Sequence, residues 1–195
     1  MGLLDRFDIE KIINEYNVKS FVETGTGYGH SIKHALLFRF EKLYSIEIEE
    51  NIYQRIKSEV SDERLILLNN NSKDGIIEVL KNILYSDSIL FWLDAHFPGA
   101  DFGFKSYGSE KDSEKRIPLE SELRTLVSIR DISKDYFIID DLRIYEDGPF
   151  SGGNWDERRT LGGEGIEFIH ELFDQTHNLE RDYRDQGYII LSPKL

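Results

Sequence analysis

Apolar positions recur along this chain in blocks that alternate between helical and strand-like spacing. Ile9, Ile12, Ile13 and Tyr16 fall at helical intervals and predict an amphipathic helix over about 8–17. Residues 20–23 read as a short strand that runs into Gly25-Thr26-Gly27-Tyr28-Gly29. A helix over about 30–40 follows, carrying Ile32, Ala35, Leu36 and Phe40, then a strand at 43–46 and a helix over about 51–60. The rhythm repeats with a strand at 65–68, a helix over about 73–84 and a strand at 89–93. That last strand, Ile89-Leu90-Phe91-Trp92-Leu93, is apolar without alternation, as expected of a strand covered on both faces of a parallel sheet. A helix over about 118–130 and a strand at 136–139 complete the series.

The C-terminal part departs from this pattern. A helix over 165–173 precedes two strand-like segments, 179–184 and 188–191, on either side of Asp185-Gln186-Gly187, a hairpin turn. Alternating βα units closed by a hairpin predict an α/β fold, a doubly wound and mostly parallel sheet with a C-terminal antiparallel hairpin, over one domain, 1–195. Two long polar segments, 97–117 and 142–163, lack the rhythm and follow strand C-termini, the edge where α/β sheets bind ligands.

Composition narrows the function classes. The chain has 195 residues, 39% hydrophobic and 31% charged, enough for one sizeable core. It has no cysteine, which excludes a disulfide framework, a thiolate metal site and a cysteine nucleophile. No apolar run approaches the roughly 18 residues of a membrane span, and the first residues lack the basic-then-apolar pattern of a signal peptide, so a cytoplasmic protein with no membrane partner is expected. The net charge is −13, and the basic groups Lys111, Lys115, Arg116, Arg158 and Arg159 make no phosphate-tracking stripe. No nucleic-acid partner is therefore expected, and a small molecule fits better.

The segment Glu23-x-Gly25-x-Gly27-x-Gly29 lies between a strand and a helix, where glycines permit sharp turns and close approach of a ligand. Position 30 is His, so the dinucleotide pattern G-x-G-x-x-G is absent and a nicotinamide cofactor is disfavoured. The acid two residues before the first glycine resembles the first motif of class I S-adenosylmethionine-dependent methyltransferases, and the resemblance runs over nearly the whole chain with its Rossmann-like order of elements. It implies that Glu23, Gly25, Thr26, Gly27, Gly29 and Ser31 surround the methionine part of S-adenosylmethionine. Glu47, 22 residues after Gly25, ends the second strand, where a carboxylate can accept hydrogen bonds from ribose hydroxyls. Asn71 and Ser72 follow the third strand, where the family contacts adenine, and Asp94 ends the fourth beside the same cleft.

Asp94 and His96 at the end of the fourth strand, with Asp140 and Asp141 at the end of the fifth, make the candidate chemical centre. Three clustered carboxylates repel one another unless a cation neutralises them, and oxygen ligation suits Mg²⁺, Mn²⁺ or Ca²⁺. Asp94, Asp140 and Asp141 are the expected ligands. The ion would acidify and orient a substrate hydroxyl, with His96 as general base next to Asp94. This set resembles the metal-dependent sugar O-methyltransferases of macrolide and aminocoumarin antibiotic pathways, from which the chain departs in its longer 97–117 insertion and its short N-terminus. Catechol-type O-methyltransferases use an Asp-Asn pair where this chain has Asp140-Asp141 and fit less well.

Tyr145, Phe150 and Trp155 offer flat faces to a sugar ring, Asn154 and Glu146 offer hydrogen bonds, and Arg143, Arg158 or Arg159 offers a phosphate contact. The expected activity is methyl transfer from S-adenosylmethionine to a carbohydrate hydroxyl, assisted by Mg²⁺ or Mn²⁺. The alternatives are a small-molecule methyltransferase with a non-sugar acceptor and a non-catalytic binding module of the same fold. The expected partner is a small, sugar-containing acceptor. The assembly state is left open, with a homodimer among the options.

Overall fold

A computed structural model describes residues 2–194. Seven strands, β1 (Val18–Thr24), β2 (Lys42–Glu47), β3 (Leu65–Asn69), β4 (Ser88–Leu93), β5 (Tyr136–Asp140), β6 (His177–Asp182) and β7 (Tyr188–Pro193), form one sheet in the order β3-β2-β1-β4-β5-β7-β6. β7 alone runs antiparallel to its neighbours β5 and β6. This is the Rossmann-like, mostly parallel sheet with a terminal hairpin that the apolar pattern predicts. The strand order reverses between β1 and β4, where Glu23 pairs with Trp92 and Thr24 with Leu93. Such a switch point opens a crevice at the C-terminal edge of the sheet.

Successive strand residues point to opposite faces, so each strand divides its apolar side chains between two cores. Val22, Phe91, Leu93, Phe137 and Ile139 pack under α4 (Ser72–Leu80), α6 (Leu119–Ile129) and α8 (Glu167–Phe173). Phe21, Leu90, Trp92 and Ile138 pack under α1 (Ile9–Tyr16) and α2 (His30–Ala35). α3 (Glu50–Glu59) covers β2 and β3 through Ile52 and Ile56.

Two helices end earlier than their periodicity predicts. α2 stops at Ala35, because the Arg64 guanidinium takes the carbonyls of Leu36 and Phe38 at 2.9 Å each and turns the chain so that Phe40 reaches Phe21. α4 stops at Leu80, and Leu84 and Tyr85 beyond it are exposed. The two long segments also hold short ordered pieces: α5 (Ser113–Arg116) in the first, and a 3₁₀ turn (Leu142–Ile144) and α7 (Arg158–Leu161) in the second. Among the described residues no helix is long and apolar enough to cross a membrane.

At the opposite edge of the sheet from the crevice, an ionic knot ties β4 to β5. Asp135 is fully buried and its Oδ2 lies 2.8 Å from Arg130 Nε, while its Oδ1 accepts from Ile89 N at 2.9 Å. His177, also buried, has Nε2 2.8 Å from the Asp135 carbonyl.

Candidate active site

β1 delivers the chain into the glycine turn. Glu23 is fully buried beneath it. Ser31 Oγ, in the first turn of α2, donates to Glu23 Oε2 at 2.5 Å, and Ser45 Oγ of β2 donates to Oε1. The Ser45 and Thr26 hydroxyls are 2.5 Å apart, which extends this network to the cavity wall. Burial pushes the Glu23 carboxyl up to about 8, against the opposing pull of the two hydroxyls. Thr26 and Ser31 line the cavity and Glu23 does not, so Glu23 braces the turn from below.

Gly25 and Gly27 serve different ends. Gly25 has φ +79°, and a Cβ there would sit 2.6 Å from the Asp94 carbonyl oxygen, so the turn crosses the end of β4 at van der Waals limit. Gly27 has φ +55°, and a Cβ there would meet nothing closer than Phe102 at 3.7 Å. It lines the cavity as bare backbone. Gly29 begins α2.

The cavity over the turn measures about 320 Å³. Glu47 lines it from the end of β2, its Oε2 accepting from Gly27 N at 3.0 Å and its Oε1 from Glu49 N at 2.9 Å. Each oxygen keeps a further lone pair for a ribose hydroxyl. Burial raises the Glu47 pKa and the backbone donors oppose it. Asn71 and Ser72 also line the cavity, but the Asn71 side chain caps α4: Oδ1 accepts from Asp74 N at 3.0 Å and Nδ2 donates to Asp74 Oδ2 at 2.7 Å. Any adenine contact by that amide therefore competes with the cap.

A loop closes over this cavity from the other side. Phe102 packs on Tyr28 at 4.5 Å, and Arg55 lies over both rings at 5.7 and 5.1 Å while donating to the Gly27 carbonyl at 2.8 Å. Lys105 pairs with Glu49 at 2.6 Å.

Asp94, His96 and Asp141 each bring one ligand atom within 4.8 Å of the others. His96 Nε2 is 2.6 Å from Asp141 Oδ2 and 3.3 Å from Asp94 Oδ1. Neither contact is aligned as a hydrogen bond, and both ring nitrogens and Asp141 Oδ1 are buried without a hydrogen-bond partner among the described residues. Three such ligand atoms converging from two strand ends fit a shared cation. Burial opposes the charge on His96, yet Asp141 and Asp94 outweigh it and hold the imidazole well above its ordinary pKa. Burial likewise opposes ionisation of Asp141, and His96 outweighs it, so that carboxyl is held below its usual range.

Asp140 is not brought into this group. It continues the face of Ile138, and its carboxyl packs against Gly2, where even a Cβ would collide with it. Burial, with Asp94 and Asp141 nearby, holds Asp140 well above the usual carboxylate range. Asp141 adopts left-handed backbone, φ 58° and ψ 47°, as the chain turns out of β5.

A second cavity of about 270 Å³ adjoins the cluster, walled by Asp141, Arg143, Trp155, Tyr107 and Gln186. His96, Phe97 and Asp101 line both cavities. Of the expected acceptor contacts, Arg143 and Trp155 are in this wall. Tyr145, Phe150 and Asn154 are not. Tyr145 turns inward onto Gly163, whose missing Cβ makes room for the ring, and Phe150 packs on Tyr183. Asn154 Oδ1 accepts from Gly148 N at 2.8 Å and shapes its own loop. Glu146 is held by Arg181, and Arg158 by Asp147.

Glu122 also stands beside this site, outside any motif. It is buried on α6, facing the Ser72 and Thr24 hydroxyls, and burial pushes its carboxyl up to about 7. Its signal was available: Leu119, Glu122, Leu123 and Leu126 share one helical stripe, so a carboxylate stands at an apolar position.

No family model matches the chain, and no curated protein sequence matches it. Solved structures do. An S-adenosylmethionine-dependent methyltransferase from Mesorhizobium loti is similar at TM-score 0.52 and 10% identity, over 90% of each chain. The sugar N-methyltransferase KedS8 from a Streptoalloteichus species is similar at TM-score 0.53 and 9% identity, over 95% of this chain and 85% of that one. Human N-acetylserotonin methyltransferase, solved with S-adenosylmethionine, is similar at TM-score 0.55 and 12% identity, over 99% of this chain and 51% of that one. At such identities the likeness is one of fold, and this chain shares the fold of these three methyltransferases.

Proposed function

We propose that this chain is an S-adenosylmethionine-dependent O-methyltransferase that acts on a carbohydrate hydroxyl with the help of a divalent cation. The observation that carries the reading is the position of the cluster between two cavities: Asp94 lines the first, Asp141 the second and His96 both. A methyl donor seated over the glycine turn and an acceptor in the second cavity would therefore meet at these three side chains.

Gly27 leaves the space the donor needs, and Glu47 presents lone pairs for its ribose. Asp94, His96 and Asp141 are the residues that would hold the cation. An imidazole among the donors moves the preference from Mg²⁺ toward Mn²⁺. Such an ion lowers the pKa of a hydroxyl bound beside it and fixes its orientation. Nε2 of His96 faces both carboxylates, so the same atom serves as cation ligand or as proton acceptor, not as both at once. Phe97, Tyr107 and Trp155 give the second cavity an aromatic wall beside the transfer path.

The test has two parts. Calorimetry with S-adenosylhomocysteine should show one site in the wild type, and Mn²⁺ should bind once, with His96→Ala and Asp141→Asn each abolishing the metal site. A screen of carbohydrate acceptors with labelled S-adenosylmethionine should then give methyl ethers that depend on added Mn²⁺ or Mg²⁺. Absence of S-adenosylhomocysteine binding would remove the methyltransferase reading, and full transfer in excess chelator would remove the cation from it.

A further inference from the structure

The second cavity carries a charge that the proposed chemistry does not use. Arg143 follows the acidic pair and sits in the cavity wall, its side chain 26% exposed. Its Nε lies 3.6 Å from Asp141 Oδ1, outside hydrogen-bond range, and the guanidinium makes no hydrogen bond to a described residue. Other arginines nearby are committed: Arg158 to Asp147, Arg181 to Glu146 and Arg184 to Asp182. Among these, Arg143 has only the long ion pair with Asp141, and its N–H donors have no hydrogen-bond partner among the described residues.

Resting on the methyltransferase reading, we propose that the acceptor is anionic, and that Arg143 binds a phosphate or carboxylate group on it while a ring of the acceptor lies against Trp155. A guanidinium presents two parallel N–H donors that match the paired oxygens of such groups. The rest of the molecule makes this anchor necessary. A chain of net charge −13 repels anions, and Asp101 and Asp141 line the same cavity, so an anionic acceptor binds only through a local cation. Trp155 is fixed for stacking by Phe97 at 5.2 Å and Tyr107 at 6.2 Å. At about 270 Å³ the cavity is smaller than the roughly 300–1,000 Å³ of drug-sized ligand sites, which suits one ring and its charged substituent.

Trp92 is fully buried in the core, so a ligand-dependent change in tryptophan fluorescence reports Trp155. The probes are pyrophosphate, D-glucuronate and, as a neutral control, methyl glucoside, each titrated in metal-free buffer. The proposal expects saturable quenching by pyrophosphate, by glucuronate or by both, at least tenfold weaker in Arg143→Gln and partly restored in Arg143→Lys. Pyrophosphate alone would identify a phosphorylated acceptor, and glucuronate alone a uronic acid. Saturation by neither anion in the wild type, equal affinity in Arg143→Gln, or equal binding of methyl glucoside would overturn it. S-adenosylhomocysteine affinity, measured on the same two proteins, should not change. Loss of that binding in the wild type removes the cofactor reading, while the anion titrations judge Arg143 separately.

Discussion

Gly25 and Gly27 stand two residues apart in one motif, and alanine should fail at them for different reasons. At both, left-handed backbone costs a residue with a Cβ about 1–2 kcal/mol. At Gly25 the new carbon would also press on Asp94 backbone at 2.6 and 2.9 Å, which cannot rotate away, and overpacking of that kind adds about 1–3 kcal/mol. Gly25→Ala should therefore lose about 2–5 kcal/mol. For a chain of this size that is a fall in melting temperature of roughly 4–20 °C. Gly27→Ala meets nothing under 3.7 Å and should lose only the backbone part, about 1–2 kcal/mol or roughly 2–8 °C. Its methyl group, however, enters the space proposed for the cofactor. Thermal melts with and without S-adenosylhomocysteine separate the two effects: Gly25→Ala melts lower but keeps a ligand-induced rise if it folds, whereas Gly27→Ala melts near the wild type and loses the rise. Equal destabilisation by the two variants would refute the packing argument. Undiminished ligand binding by Gly27→Ala would refute the placement of the cofactor on this turn.

Three further outcomes are expected. Asp135→Ala strands the buried Arg130 and should cost about 3–5 kcal/mol in urea denaturation, and a loss under 1 kcal/mol would show that the ionic knot does not hold β4 to β5. Burial holds the His177 pKa below its ordinary value, so the unfolded chain takes up a proton first as pH falls through about 6.5. The stability from neutral His177 is present above that pH and lost below it, and His177→Gln should flatten the slope between pH 7 and 5; an unaltered slope would contradict this. Phe102→Ala removes the ring that packs on Tyr28 and under Arg55 and should speed hydrogen exchange across 97–108 and release of S-adenosylhomocysteine, with little change in global melting; unchanged exchange would mean that Lys105 and Glu49 suffice to hold the loop.

The sheet was legible because apolar runs and glycine turns are local signals. The runs at 43–46, 65–68 and 89–93 each became a parallel strand, and the strand ends placed Glu47 and Asp94 on the crevice. Less legible was the direction of neighbouring side chains. Asp140 and Asp141 read as a pair, yet strand alternation sends consecutive residues to opposite faces, and only the left-handed turn at Asp141 settles which one joins His96. Loop aromatics misled in the same way. Tyr145, Phe150 and Trp155 look alike in sequence, but the 3₁₀ turn at Leu142–Ile144 and the bare backbone of Gly163 and Gly187 draw the first two inward. Nothing local distinguishes them, since the partners that bury them lie far along the chain.

The loop after β4 is a shared wall. Phe97 and Asp101 belong to both cavities, Phe102 shuts the first and Tyr107 shapes the second. The two rooms therefore share a partition made of one stretch of chain. A molecule settled over the glycine turn touches the segment that also forms the neighbouring wall, so a shift of that segment at one site is felt at the other. On the proposed function the two ligands are then energetically coupled, each changing the affinity of the other by the same factor.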